Sequence, residues 1–114
     1  MNIDKIKNCN ANRAPILGFL HCVRPSAFKE FLILLSNKSG LVIDYFGVEY
    51  QENNTLTFFD FTSFDIDIEV NISLQEFIQI IQPIIEDYLD EYPKEEQEIK
   101  KILSELRKNM LLKS

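Results

Sequence analysis

Two cysteines, three glycines, four prolines, one histidine and no tryptophan are all that this 114-residue chain holds of those types. So little glycine and proline excludes low-complexity and linker-rich classes, and with 46% hydrophobic residues it argues against intrinsic disorder. Cys9 and Cys22 have no metal-type spacing and suit a reducing compartment as unpaired thiols. The uncharged run Phe31 to Leu35 is far short of the roughly 20 apolar residues that a membrane span needs. The opening MNIDKIKNCN has charges but no apolar stretch behind them, so a secretory signal is not expected and a cytoplasmic protein is. Catalytic signatures are missing as well. There is no HExxH, P-loop, GxGxxG or GxSxG, and no His/Cys/Asp cluster with zinc spacing. His21 stands alone in an apolar segment, where a packed structural role is expected. Cys22 beside it points about 100° away on a helix, which works against activation of the thiol. The expectation is a non-enzyme with no cofactor and no metal.

One absence organises the rest. Residues 39 to 93 contain no lysine or arginine, yet they carry Asp44, Glu49, Glu52, Asp60, Asp65, Asp67, Glu69, Glu76, Glu86, Asp87, Asp90 and Glu91. The flanks run the other way: residues 1 to 38 hold 6 basic and 2 acidic side chains, and residues 94 to 114 hold 6 basic and 4 acidic. The net charge of −6 therefore conceals a strongly acidic middle between two basic ends. A nucleic-acid binder needs a basic stripe to neutralise phosphates, so nucleic acid is excluded as a partner. A basic protein surface is the expected partner.

Size gives one domain, residues 1 to 114, with enough chain for an ordinary core. Ala14 to Val23 is short and apolar, so it suits a buried strand or a short helix. A helix is preferred, with Ala14, Leu17, Leu20 and His21 on one face. Residues 25 to 37 form a better helix, with Phe28, Phe31, Leu32 and Leu35 as its stripe and Asn37 and Gly40 as stop signals. LVIDYFGVEY at 41 to 50 reads as one strand, in which Gly47 marks a bulge. QENN follows as a turn, TLTFFDFT as a second strand, and DIDIEVNI as a third with strict alternation. Its aliphatic side, Ile66, Ile68, Val70 and Ile72, must meet the helices, so its acids face water. Ser73 with Glu76 opens a long helix whose apolar stripe runs to Leu89, with a kink expected near Gln79 to Pro83. A last helix starts at Pro93 and buries Ile99, Ile102, Leu103, Leu106 and Met110. The fold class is α+β: a small antiparallel β-meander packed on helices, with a C-terminal antiparallel helical hairpin.

Carboxylates along a strand face repel one another and add nothing to folding. A solvated, merely soluble face is the plain reading of them. A docking surface is the functional one, because ordinary surfaces intersperse both signs. Asp65, Asp67 and Glu69 are a conceivable divalent-cation cluster, but they match no EF-hand frame. Aromatic residues lie among the acids. If Leu56 and Phe58 face the core, Phe59 and Phe61 share the outer face, and Phe64 falls in a turn. The candidate contact residues are therefore Asp44, Glu49, Asp60, Asp65, Asp67 and Glu69, with Phe59, Phe61 and Phe64 as apolar anchors.

From residue 41 onward the order of "YFGVEY", "TFFDF", "DIDIEVNIS", "SLQEF" and "IIEDYLDEYPKEEQEIKKIL" resembles the immunity proteins of bacterial contact-dependent growth inhibition systems, in particular those directed at ribonuclease toxins. Tyr88, Leu89, Asp90, Glu91, Tyr92, Pro93 and Lys94 look like that family's YLxxxP turn between two terminal helices, whereas Pro83 departs from its pattern. The resemblance implies a cytoplasmic inhibitor that binds the C-terminal nuclease domain of a cognate toxin in a 1:1 complex. The alternative is an acidic adaptor, or a nucleic-acid mimic, for some other basic protein.

Overall fold

A computed structural model describes residues 14–62 and 68–111. Two short helices come first, α1 (Ala14–Cys22) and α2 (Pro25–Ser36). Four strands follow, β1 (Leu41–Ile43), β2 (Phe46–Gln51), β3 (Thr55–Asp60) and β4 (Ile68–Ser73). Two long helices end the chain, α3 (Leu74–Glu91) and α4 (Glu96–Leu111). The strands form one antiparallel sheet in the order β1-β2-β3-β4, a meander with the helices on one side. The α+β class, the meander and the terminal helical pair stand as expected.

The expected first strand is two strands. Asp44 and Tyr45 turn the chain back between β1 and β2, with Asp44 in the left-handed region at φ 54°. Aspartate tolerates that conformation better than most residues do. Gly47 is no bulge: it lies in register between Val42 and Phe59. The turn at Glu52–Asn54 is a single 3-10 turn closed by Asn53 and Asn54, both with positive φ.

α1 is a helix, but its buried side is not the expected one. Ile16, Phe19, Leu20 and Val23 are buried, while Ala14 and His21 are exposed, so His21 is not a core residue. Gly18 lets α1 lie close to the sheet, since a Cβ there would sit 2.3 Å from the ring of Phe46. α2 ends at Asn37, one of the two expected stop signals, and Lys38 rather than Gly40 then takes the left-handed turn. Lys38 takes φ 58°, and the N–H groups of Lys38 and Ser39 donate to the carbonyls of Leu35 and Leu34. α3 starts where Ser73 Oγ accepts the Glu76 N–H at 3.1 Å. It continues through Pro83 as one helix, because buried Ile80, Ile81, Ile84 and Ile85 hold both halves against the core. Pro93–Glu95 form a 3-10 turn before α4, so the last helix begins three residues later than expected.

The centre of the core is a closed circuit of rings. Phe19 of α1 meets Phe31 of α2 at 5.1 Å and Phe58 of β3 at 5.6 Å. Phe77 of α3 completes the circuit, 6.1 Å from Phe31 and 5.2 Å from Phe58. All four rings are at most 1% exposed, and burying each contributes about 2–3 kcal/mol before pairing effects. Two polar clusters fasten the periphery. The Tyr50 hydroxyl donates to Asn54, whose amide donates to the Asn109 carbonyl, and the Asn109 amide donates to the Ser36 carbonyl. This chain ties the β2–β3 turn to the ends of α4 and α2. At the other end Lys29 pairs with Glu95 at 3.1 Å and Glu98 at 3.0 Å, while the Tyr88 hydroxyl donates to Glu95.

Candidate functional site: the outer face of the sheet

Strand alternation divides the sheet cleanly. Leu41, Ile43, Phe46, Val48, Tyr50, Leu56, Phe58, Val70 and Ile72 face the helices. The opposite parity carries Val42, Gly47, Glu49, Thr57, Phe59, Glu69 and Asn71, and Phe61 continues it past the end of β3. One row, Val42–Gly47–Phe59–Glu69, crosses all four strands.

The centre of this face is apolar. The Phe59 and Phe61 rings stack 5.7 Å apart and only 6° from parallel. Gly47 supplies their floor: a Cβ there would lie 3.3 Å from Val42 Cγ2 and 3.5 Å from Phe61 Cε2. Val42 is 66% exposed and Phe61 40% exposed. Tyr45 lies beside them in the β1–β2 turn, and its carbonyl accepts the Phe61 N–H at 2.8 Å. Next along the same face Thr57, only 5% exposed, donates its hydroxyl to Asn71 at 2.6 Å, so this buried hydroxyl has a partner.

Acids flank the aromatic pair. Glu69 stands directly opposite Phe59 and makes no hydrogen bond or ion pair among the described residues. Glu49, opposite Thr57, accepts only from its neighbour Gln51 Nε2, at 3.0 Å. Residues 41 to 62 and 68 to 73 contain no lysine or arginine to neutralise them.

The candidate residues named from the sequence therefore separate into three groups. Glu49, Glu69, Phe59 and Phe61 share the outer face. Asp44 and Asp60 do not. Asp44 occupies the β1–β2 turn on the α1 side, where burial and then its carboxylate push the Cys22 thiol pKa up. Asp60 has inward parity at the end of β3, and its Oδ1 accepts from the Thr62 N–H at 2.9 Å and the Thr62 hydroxyl at 2.6 Å. Phe64, Asp65 and Asp67 lie outside the described residues. Val42 and Gly47 belong to the face and were not foreseen. The signal for them was Asp44, a turn-forming residue inside an apparent strand, because only a reversal there sets Val42 opposite Gly47.

Among the described residues no three His, Cys, Asp or Glu side chains are grouped to hold a metal, and no helix is long and apolar enough to cross a membrane. A cleft of about 650 Å³ between α3 and α4, lined among the described residues by Gln75, Ile78, Gln79, Gln82, Arg107 and Met110, has among these no pair of groups suited to acid–base chemistry. Comparison with family models, curated proteins and solved structures gives no match to this chain.

Proposed function

We propose that this chain is a cytoplasmic immunity protein, a non-enzymatic inhibitor that binds a cognate nuclease toxin domain, of ribonuclease type, in a 1:1 complex. The observation that carries the reading is the outer sheet face: a stacked aromatic pair, Phe59 half-buried and Phe61 exposed, between carboxylates that nothing on the sheet neutralises. Such a face gains nothing for folding, since its rings lie outside the core and its acids repel. It suits a partner that brings cations. A nuclease lines its substrate path with lysine, arginine or histidine to hold phosphates, so an acidic, rigid surface can cover that path. Long-range attraction speeds the encounter, and desolvated rings slow release. The likeness of residues 41 onward to immunity proteins of contact-dependent growth inhibition supports the same class.

The test is co-expression with the product of the adjacent gene, followed by capture at low and high salt. Capture of a basic nuclease domain, with loss of its activity and weakening by salt, is the expected result. Capture of a basic protein without nuclease activity would replace this reading with the adaptor or nucleic-acid mimic. Failure to capture any basic protein would overturn both.

A further inference from the structure

We infer that the residue this face receives from its partner is an arginine, laid against the Phe59–Phe61 stack with its guanidinium fork turned to Glu69. The inference rests on the reading of the face as a docking surface for a basic protein, and it specifies the chemistry of the anchor.

Two features select arginine over lysine, and a third leaves the site clear for either cation. The first is ring geometry. The other ring pairs among the described residues are tilted by 37° or more, as suits a packed core, whereas Phe59 and Phe61 are within 6° of parallel. Two parallel rings present a planar column that a third flat group extends, and guanidinium is the flat side-chain cation that keeps its charge at neutral pH. The second is the disposition of charge. Glu69 is directly across from Phe59 in the β3–β4 register, uncommitted, and Glu49 lies diagonally across β2. A guanidinium lying on the stack has Glu69 at its edge, where its two-pronged N–H geometry matches a carboxylate. An ammonium on a flexible stem keeps its hydration and gains less from a ring face. The third is the neighbouring polar pair. The Thr57 hydroxyl already donates to Asn71 Oδ1, so that amide oxygen next to Glu69 on β4 is engaged before a partner arrives. The same carboxylates repel an anion, which excludes nucleic acid and acidic peptides from the site.

The experiment uses the full chain and two probes of equal charge, hexa-arginine and hexalysine peptides, titrated at moderate salt while the phenylalanine ring resonances are followed by NMR. Hexa-arginine is expected to bind about three- to five-fold more tightly than hexalysine, with the shifts centred on Phe59 and Phe61. Phe61→Leu is expected to abolish the preference while leaving the weaker, charge-driven binding of both peptides, and Glu69→Gln to weaken both. The circular-dichroism spectrum of each variant confirms that it folds. Equal binding of the two peptides, a preference that survives Phe61→Leu, or shifts centred elsewhere would overturn the arginine assignment. Those results leave the capture of a nuclease domain untouched, so the two readings fail separately.

Discussion

Phe58 and Phe59 are neighbours in the chain and opposites in the molecule. Phe58 is fully buried and meets Phe19 and Phe77 at tilted or edge-on angles. Phe59 lies on the other side of the same strand, stacked flat on a partly exposed Phe61. The inner rings interdigitate because they must fill a volume from several directions. The outer rings have no volume to fill, and the acids around them discourage any further packing within the chain. The difference teaches that aromatic content alone says little. The strand's two-residue period decides which rings serve stability and which are left outside the core.

The comparison breaks most visibly at the core. Phe58→Ala opens the ring circuit and should cost about 3–5 kcal/mol, measured by urea unfolding. A cost under 1 kcal/mol would mean that the circuit is not the centre of the fold. The mirror experiment is Phe61→Ala. Its stability cost should stay within about 1 kcal/mol, while affinity for the captured nuclease domain drops by about 2 kcal/mol or more in titration calorimetry. Equal losses in both assays would erase the distinction between the faces.

A pH titration sharpens the same division from the helical side. Burial and then the Glu95 carboxylate push the Tyr88 hydroxyl up from 10.0 to about 12. Above pH 10 the unfolded chain releases this proton before the folded one does. The stabilisation is therefore complete below pH 10 and is lost as pH rises toward 12. Lys29, also held up by Glu98 and Glu95, loses its contribution in the alkaline range too. Tyr88→Phe should therefore flatten only part of the alkaline decline, read as thermal midpoint against pH, whereas Phe61→Ala should leave the shape of that decline alone. Glu95 is held below its ordinary value by Tyr88 and Lys29, so its contribution is present above about pH 4.5 and fades in acid.

The smallest stability effect belongs to the acids of the outer face. Glu49→Gln combined with Glu69→Gln should change stability by no more than about 0.5 kcal/mol. The pair should nevertheless slow association with the nuclease domain and flatten its dependence on salt, as stopped-flow kinetics would record. An unchanged salt slope would move the electrostatic contribution to other acids.

Much of this was legible in the sequence because period and charge were clear. The buried stripe of α3 followed from spacing alone, the opposite facing of Phe58 and Phe59 followed once Leu56 and Phe58 were taken to face the core, and the acid-rich, cation-free middle drew attention to this part of the chain. What escaped was set by contacts between distant residues. Asp44 reads as a strand residue until the turn beside α1 places it. Gly47 reads as a bulge until Val42 and Phe61 close over it. Lys38 follows α2 in a conformation usually left to glycine, which composition cannot announce. Asp60 carries the same charge as Glu69, but only the register shows one held by Thr62 and the other open.

The central claim, that the outer face is where the partner sits, is met most directly by one variant. Phe61→Ser with Glu69→Lys reverses the charge and removes the exposed ring while leaving the inner circuit intact. Its affinity for the proposed nuclease partner, once captured, measured by calorimetry next to the parent chain, should fall by about 100-fold or more with the thermal midpoint nearly unchanged. An affinity equal to the parent's, in a variant that folds as well, would contradict the account.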